Sequence, residues 1–398
     1  MKIIQINVLA KEKSTGRTTN ELHNYLINHG HDSYVAYAIG DKIDDIHMYK
    51  MTTFVDYYLH NICARIFGSQ GFHSIFATLK LIKWIDNINP DIVHLRNLHS
   101  NFINIKILFN YLSTKSIPII ITTHDFWFFT GHCPYPLPDC DNYSCKHCEK
   151  FFHKPTIFYN SRRIYLKKQT LLKKNANIIG IQSNSYFSKN VSSGFFSCAK
   201  ENRVIYNWID FNSFYPDYDK ECFSFANKPI VLAVWSLLDE KQDRFQFFIN
   251  IANRMHNNYN FVMVGDHNFN VKKYSKVKIL SGTSDVNKLR RYYSSADVLF
   301  NPSTTDTFGK VVAEALSCGT PAVVFANQAL PEIIGNNECG VAVEPFSIES
   351  SIEAIEYVVG KGKKTYLEKC VSRSREMFSL ESNCQMLVEF YDAMKKNV

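Results

Sequence analysis

Two doubly wound α/β domains are what this sequence predicts, and three observations predict them. Over about the first 200 residues, short β-branched runs alternate with longer helical patterns. The same rhythm restarts after an irregular stretch at 207–229, and the length of 398 residues suits two domains of roughly 100–200 residues each. Strands alternating with helices imply parallel βαβ units.

The first-domain strands read as 3–8 (IIQINV), 33–39, 91–97, 118–125, 177–184 and 201–207. A helix beginning near Arg17 turns Leu22, Tyr25 and Leu26 inward and stops at His29 and Gly30, a usual terminator. Residues 1–205 then form one domain, with a cysteine-rich insertion near 129–155. The second-domain strands read as PIVLAVWSLL, NFVMVGD, KVKILSG, DVLFNPS, PAVVFAN and CGVAVEP, with helices over 285–296 and 309–319 between them. That domain spans 217–380. The segment 381–398 puts Cys384, Leu387, Phe390, Tyr391 and Met394 at helical spacing and fits against either domain. Two such domains facing a central cleft would bind ligands at the carboxyl ends of their sheets.

Composition narrows the class. Hydrophobic residues at 45% and charged residues at 21% exclude a disordered chain. The opening run lacks the layout of a signal peptide, and no 18-residue apolar stretch follows, so no membrane span and a cytoplasmic location are expected. A net charge of +8 favours an anionic partner. The 11 cysteines, odd in number and scattered, fit a reducing compartment better than a disulfide framework.

The strongest functional signal lies at 297–334. A strand ends at Pro302, a Ser/Thr loop follows, Phe308 and Gly309 open a helix, and Gly319 closes it. Unpaired amides of Gly309, Lys310 and Val311 would suit a phosphate. Asp306 and Glu314, eight residues apart, are better placed to accept hydrogen bonds from hydroxyls, Glu314 from a ribose and Asp306 from a sugar. A capped surface helix with Glu314 solvated fits the same spacing.

This run resembles the signature of glycosyltransferase family 4, retaining enzymes of the two-domain GT-B fold. The likeness extends more weakly through Ser14–Arg17, Asp91–His94, Thr123–Asp125, Asn207–Asp210, Val264–Asp266 and Leu330–Glu332. The insertion from Phe129 to Cys133 is similar to a subgroup associated with colanic acid, capsule and O-antigen assembly. Two departures stand out: Asp306 where glutamate is more frequent, and Ser236 where an arginine would align. Lys241 is then the cationic candidate in the loop after the second domain's first strand, with a surface lysine in a helix's first turn as the alternative. Alone, a histidine at a strand end is more often a structural group; the resemblance reverses that reading and implies that His124 hydrogen-bonds a donor-sugar hydroxyl. The roles so implied are catalytic for His124, Asp306 and Lys241. Donor binding falls to Gly16, Arg17, Ser236, Lys241, Asp306, Phe308, Gly309, Lys310, Val311 and Glu314. Asp125 is a weaker candidate, and His94 reads as core or loop support.

The stretch from Lys13 to Arg17 reads as a lone-glycine turn in which Gly16 admits a ligand and Arg17 meets a phosphate, or as a helix capped by Ser14 or Thr15. Gly360 to Lys364 follows a helix and reads as a solvated basic turn. Cys133, Cys140, Cys145 and Cys148 suit a structural zinc that staples the insertion; reduced thiols or disulfides fit too. No metal is expected for catalysis. Phe151 to Lys174 interleaves aromatics with Arg162, Arg163, Lys167, Lys168, Lys173 and Lys174, suiting either an anionic membrane surface or a solvated helix face. No nucleic-acid motif accompanies the charge.

The expected function is a retaining glycosyltransferase moving a sugar from a nucleotide diphosphate donor, a UDP- or GDP-sugar, to a growing lipid-linked oligosaccharide in bacterial surface polysaccharide assembly. It would work in the cytoplasm or peripherally on the inner face of the plasma membrane. A sugar-nucleotide epimerase and a non-catalytic membrane-docking scaffold are the alternatives.

Overall fold

The computed structural model describes residues 1–134, 145, 158, 160–186, 188, 197, 199–217, 222–223 and 228–396. They fall into two compact units, Met1–Ile205 with Cys384–Val398, and Tyr206–Asn383.

The first unit is built on seven strands: β1 (Lys2–Leu9), β2 (Asp32–Ile39), β3 (Met48–Lys50), β4 (Ile92–Leu95), β5 (Ile119–Thr122), β6 (Ile179–Ser183) and β7 (Glu201–Val204). All pair in parallel, in the order β3-β2-β1-β4-β5-β6-β7. The central strands are apolar on both faces because helices cover both, and Ile3, Ile4, Ile6, Val93, Ile120 and Ile121 are fully buried. Strand β3 is an addition to the sequence reading: three residues cannot display a period, and pairing with β2 defines it.

The first helix, Lys13–Asn28, starts well before Arg17. From Cys384 onward, the helix Leu380–Lys396 belongs to the first unit. Its Tyr391 hydroxyl lies 2.7 Å from His94 Nδ1, Lys395 pairs with Asp91 at 2.8 Å, and Gly180 leaves room for Phe390, whose ring a Cβ there would meet at 2.7 Å.

The second unit repeats the plan with β8 (Ile230–Leu237), β9 (Asn260–Asp266), β10 (Val277–Leu280), β11 (Val298–Asn301), β12 (Ala322–Phe325) and β13 (Gly340–Val343). The order is β10-β9-β8-β11-β12-β13, again parallel. Strand order therefore reverses between β1 and β4 in one sheet and between β8 and β11 in the other. These switch points are where open α/β sheets place ligands. Among the described residues no helix is long and apolar enough to cross a membrane.

Candidate active site

At the second unit's switch point, the chain leaves β11 through Pro302–Phe308 and enters the helix Lys310–Ser317. Gly309 makes that entry with φ +73°, a left-handed conformation, and a Cβ there would meet Leu330 at 2.8 Å; glycine is needed on both counts. Phe308 packs into the core against Phe378 and so pins the loop. Asp306, half-buried, accepts the Gly309 amide on Oδ1 at 2.7 Å, with Asn301 Nδ2 3.5 Å from Oδ2. Burial raises its pKa, while these donors and the nearby Arg244 guanidinium oppose the rise. The Gly309 amide is thus not open to an anion: Asp306 already holds it, and it cannot serve as the unpaired donor that the sequence suggested. The helix itself begins one residue on, at Lys310.

Glu314 stands about one turn into this helix, 3% exposed, and accepts a hydrogen bond from the Tyr293 hydroxyl at 3.0 Å. A solvated Glu314 is excluded. Lys310 and Val311 are half-buried beside the helix start. Behind it, Asn327 Nδ2 donates to the Thr304 carbonyl at 2.6 Å, tying the loop after β12 to the loop after β11.

At the end of β8, Ser236 and Lys241 are exposed. Lys241 precedes the helix Asp243–Met255, outside its first turn, and its amide donates to Asp239 Oδ1 at 3.0 Å. A cavity of about 440 Å³ opens here, lined by Asp239, Glu240, Lys241, Phe269 and Lys273 among others. Sequence reasoning missed Arg244. It sits in the first turn of that helix, with its guanidinium 4.8 Å from the centre of the Trp235 ring. Burial lowers its pKa, and Asp306 and Asp239 draw it back up. The available signal was spacing: Arg244 lies three and four residues before Phe247 and Phe248, both buried, so it shares their inward face. The second unit thus has a guanidinium near Asp306, although Ser236 stands where an arginine was expected.

In the first unit, Gly16 lies inside the helix Lys13–Asn28, which corrects the turn read from sequence. A Cβ there would come 3.0 Å from Leu9 Cβ and 3.1 Å from the Lys11 carbonyl carbon, so the glycine serves close packing of the helix on the chain leaving β1. The N-cap is Glu12, without a side-chain bond, not Ser14 or Thr15. Arg17 is half-buried on this first turn. His124, also half-buried, follows β5 with its amide donating to the Thr122 carbonyl at 3.0 Å. Asp125 is buried and structural: it accepts the Trp127 amide at 2.8 Å and pairs with His99 at 3.4 Å, and burial raises its pKa. His94 lies between Tyr391 and the Thr122 hydroxyl at 2.6 Å, a core position. A second arginine, Arg96, also escaped the sequence reading. Buried at the end of β4, it donates to Thr18 Oγ1 at 3.0 Å and Gln5 Oε1 at 3.4 Å, and burial lowers its pKa to about 10.

Of the four cysteines offered to zinc, Cys140 and Cys148 lie outside the described residues. Cys133 is half-buried, and Cys145 is buried with its Sγ accepting the Gly131 amide at 3.2 Å. In the basic segment, residues 151–157 and 159 lie outside the described residues, and 161–174 is helical. Lys168 departs from the solvated face: it is buried, donates to the carbonyls of Trp127, Thr130 and Gly131 at 2.7, 3.2 and 3.0 Å, and stacks 3.5 Å from the Trp127 ring centre. In the basic turn, Lys363 is tied down as well, donating to the carbonyls of Ser294 and Ala296.

Two parallel sheets with matching switch points, each followed by helices, make this a GT-B type α/β protein. Residues 15–212 match the model of Glycosyltransferase Family 4 and residues 217–377 that of Glycosyl transferases group 1, and the chain belongs to this glycosyltransferase family. It is 21% identical over 426 aligned positions to WcaC of Escherichia coli, named for colanic acid biosynthesis, covering 98% of this chain and 99% of that protein. It is 31% identical over 111 residues to a GDP-mannose-dependent phosphatidylinositol dimannoside mannosyltransferase of Mycobacterium tuberculosis, covering 28% of each. The alignment spans only 23% and 28% of the length of the first two relatives. Among solved structures, Anabaena HepE in complex with UDP-glucose aligns with a TM-score of 0.68 at 15% identity, covering 99% of this chain and 100% of that one. That likeness shows the fold.

Proposed function

We propose that the protein transfers a sugar, with retention of anomeric configuration, from a UDP- or GDP-sugar to a lipid-linked oligosaccharide during bacterial surface polysaccharide assembly. The observation that carries this reading is the pairing at the second unit's switch point: Lys241 and Arg244 after β8, and the Asp306-capped helix start after β11. Cations and first-turn amides suit a diphosphate, while Glu314, already held by Tyr293, suits ribose hydroxyls. HepE binds UDP-glucose, and the mycobacterial relative is named for GDP-mannose and a phosphatidylinositol acceptor. Those names support the donor class and a lipid-linked acceptor.

Breaking the bond from the anomeric carbon to the diphosphate oxygen leaves the electron pair on the diphosphate. Lys241, Arg244 and the helix start would stabilise that charge. The acceptor oxygen attacks on the same face, and its proton passes to a departing phosphate oxygen. Arg17 and Gly16 are kept as candidate donor contacts and His124 as a candidate sugar contact. The four-cysteine zinc is kept as a proposal for the insertion, with one equivalent expected by elemental analysis of protein purified without added metal. The experiment that tests the function incubates the chain with UDP- and GDP-sugars and a lipid-linked acceptor, then reads the product by NMR. An inverted anomeric centre overturns retention; epimerised donor without acceptor favours the epimerase instead.

A further inference from the structure

We propose that the outward faces of the helices Phe54–Phe67 and Ile75–Ile88 form a docking surface for an anionic lipid bilayer. The inference deepens the lipid-linked acceptor reading and rests on it for its biological sense.

The helix Phe54–Phe67 buries only His60 and Ala64, although its sequence is largely apolar. Phe54, Tyr58 and Ile62 recur at every fourth residue on the exposed side, with Val55 and Leu59 beside them; Phe54 is 81% exposed. The first turn of the helix Ile75–Ile88 adds Ile75, Phe76 and Leu79, with Phe76 77% exposed. Soluble proteins rarely leave so many large apolar groups exposed on one helix face and the start of the next, here linked through His60 and Ser74.

The face is held rigidly. Thr53 and Asp56 close a capping box at the start of the first helix. His60 bonds the Ser74 hydroxyl at 2.6 Å through Nδ1 and accepts the Gly71 amide at 3.3 Å on Nε2, locking the connecting loop under both helices. Phe54 stacks on Tyr58 with ring centres 6.0 Å apart. A frayed segment would not be fixed at its start and its middle in this way.

Charge selects the occupant. Arg65, Lys80 and Lys83 are exposed on the same two helices. In the connecting loop, Phe72 lies 5.7 Å under the Lys167 ammonium, whose pKa is lowered by burial first and then by the nearby cations Arg163 and Lys106. On the acidic side, Asp56 is engaged in the capping box and Asp86 is paired with Lys115 at 3.2 Å. An apolar centre with a basic rim matches acyl chains beneath anionic headgroups. A second copy docked symmetrically on this face would set basic rims near one another, which repel. The sequence pointed to 151–174 for this role. The aromatic start of that segment, 151–157, lies outside the described residues; the surface proposed here takes its apolar anchors from 54–79, with Arg163 and Lys167 as flanking cations.

Sedimentation of the full chain with vesicles tests this. The parent should bind vesicles containing phosphatidylglycerol, bind phosphatidylcholine vesicles weakly, and release with salt. The variant Phe54→Ser with Phe76→Ser should cut binding by about tenfold or more, at unchanged melting temperature and nucleotide affinity. Lys80→Glu with Lys83→Glu and Lys167→Glu should abolish the anionic preference and guards against a fold defect in the first variant. Equal binding by parent and either folded variant overturns the proposal. So does a parent that ignores anionic vesicles, or one whose serine variant only converts a dimer to a monomer in the ultracentrifuge. Transfer to a detergent-dispersed acceptor is scored separately. Vesicle binding without transfer refutes the enzymatic reading alone, and transfer without vesicle binding refutes the docking face alone.

Discussion

At the end of β4 an arginine turns inward, and at the end of β8 two cations stand on the loop side. Arg96 is buried beneath the helix Lys13–Asn28 and gives its guanidinium to Thr18 and Gln5. Lys241 is exposed and Arg244 half-buried, stacked on Trp235 near Asp306. The strand orders correspond, apart from the extra edge strand β7 of the first sheet. What differs is the packing of the helix that follows the first strand: in the first unit Gly16 lets it close on the chain leaving β1, while in the second a turn through Lys241 precedes the helix and opens a cavity. At equivalent places in the two sheets, the tightness of one helix start decides whether the cations there are enclosed in the core or left beside a cavity.

The largest effect should separate these two roles. Lys241→Ala and Arg244→Ala are each expected to lower turnover by about 10²–10³-fold, the scale of losing one preorganised donor to developing charge, with little change in melting temperature. Arg96→Ala should do the reverse, costing about 1–3 kcal/mol of stability by leaving buried polar groups unpaired while the nucleotide affinity of folded protein holds. Paired melting and turnover measurements check this; a selective catalytic loss at Arg96 would erase the distinction.

Next in size, Glu314→Ala should weaken nucleoside diphosphate binding by about 1–3 kcal/mol, read by calorimetry. Tyr293→Phe separates a ligand role from a packing role. It removes the hydroxyl that holds Glu314 but keeps the carboxylate, so binding should survive. If both variants lose affinity equally, Glu314 acts by packing alone.

Asp306→Ala should cost about 1 kcal/mol through the lost hydrogen bond that caps the loop at the Gly309 amide, and Asp306→Asn less, because an amide oxygen can still accept the Gly309 N–H. Turnover should follow the same order. A stability loss in Asn as large as in Ala would show that charge, not the cap, matters.

The smallest effect is a divergence of the two units in acid. His23, bonded to Ser33 Oγ at 2.9 Å, has its pKa lowered by burial to about 4. In the unfolded chain it titrates near the ordinary value of 6.5, so the unfolded state binds its proton first as pH falls. Stability of the first unit is then lost from about pH 6.5 toward 4. Asp306 works oppositely: its raised folded pKa means the native second unit takes up a proton first and gains on acidification. Hydrogen exchange at several pH values should show the first unit opening earlier, and His23→Gln should narrow the gap. Identical pH profiles for both units would contradict it.

Much of this architecture is legible in the residues, and the lapses have physical causes. The central strands of each unit announce themselves because parallel strands buried on both faces run β-branched without interruption, whereas the edge strands β7 and β10 are partly exposed and carry a weaker signal. Strand β3 has no such run. The helix at Lys13 hides because its first turn is polar and its start has no capping side chain. Asp306 and Glu314 were legible from spacing, but whether either is solvated depends on Tyr293 and Gly309, partners that spacing does not name. Arg244 was passed over and Lys168 was read as a surface cation for one reason, that long cationic side chains suggest solvent, yet the first lies on a tryptophan face and the second is enclosed by three carbonyls.

The first unit is discontinuous in sequence, since the helical residues from Cys384 onward cover the side of the sheet where Gly180 makes room. During synthesis the seven strands therefore leave the ribosome before the segment that seals them, and the whole second unit is made in between. The second unit can complete itself as a contiguous piece, whereas the first must wait with His94 lacking its tyrosine and an apolar groove open to water. Chaperone dependence should accordingly concentrate on the half that is translated first. A chain stopped at Asn383 should be degraded because its earliest-made part is unfinished.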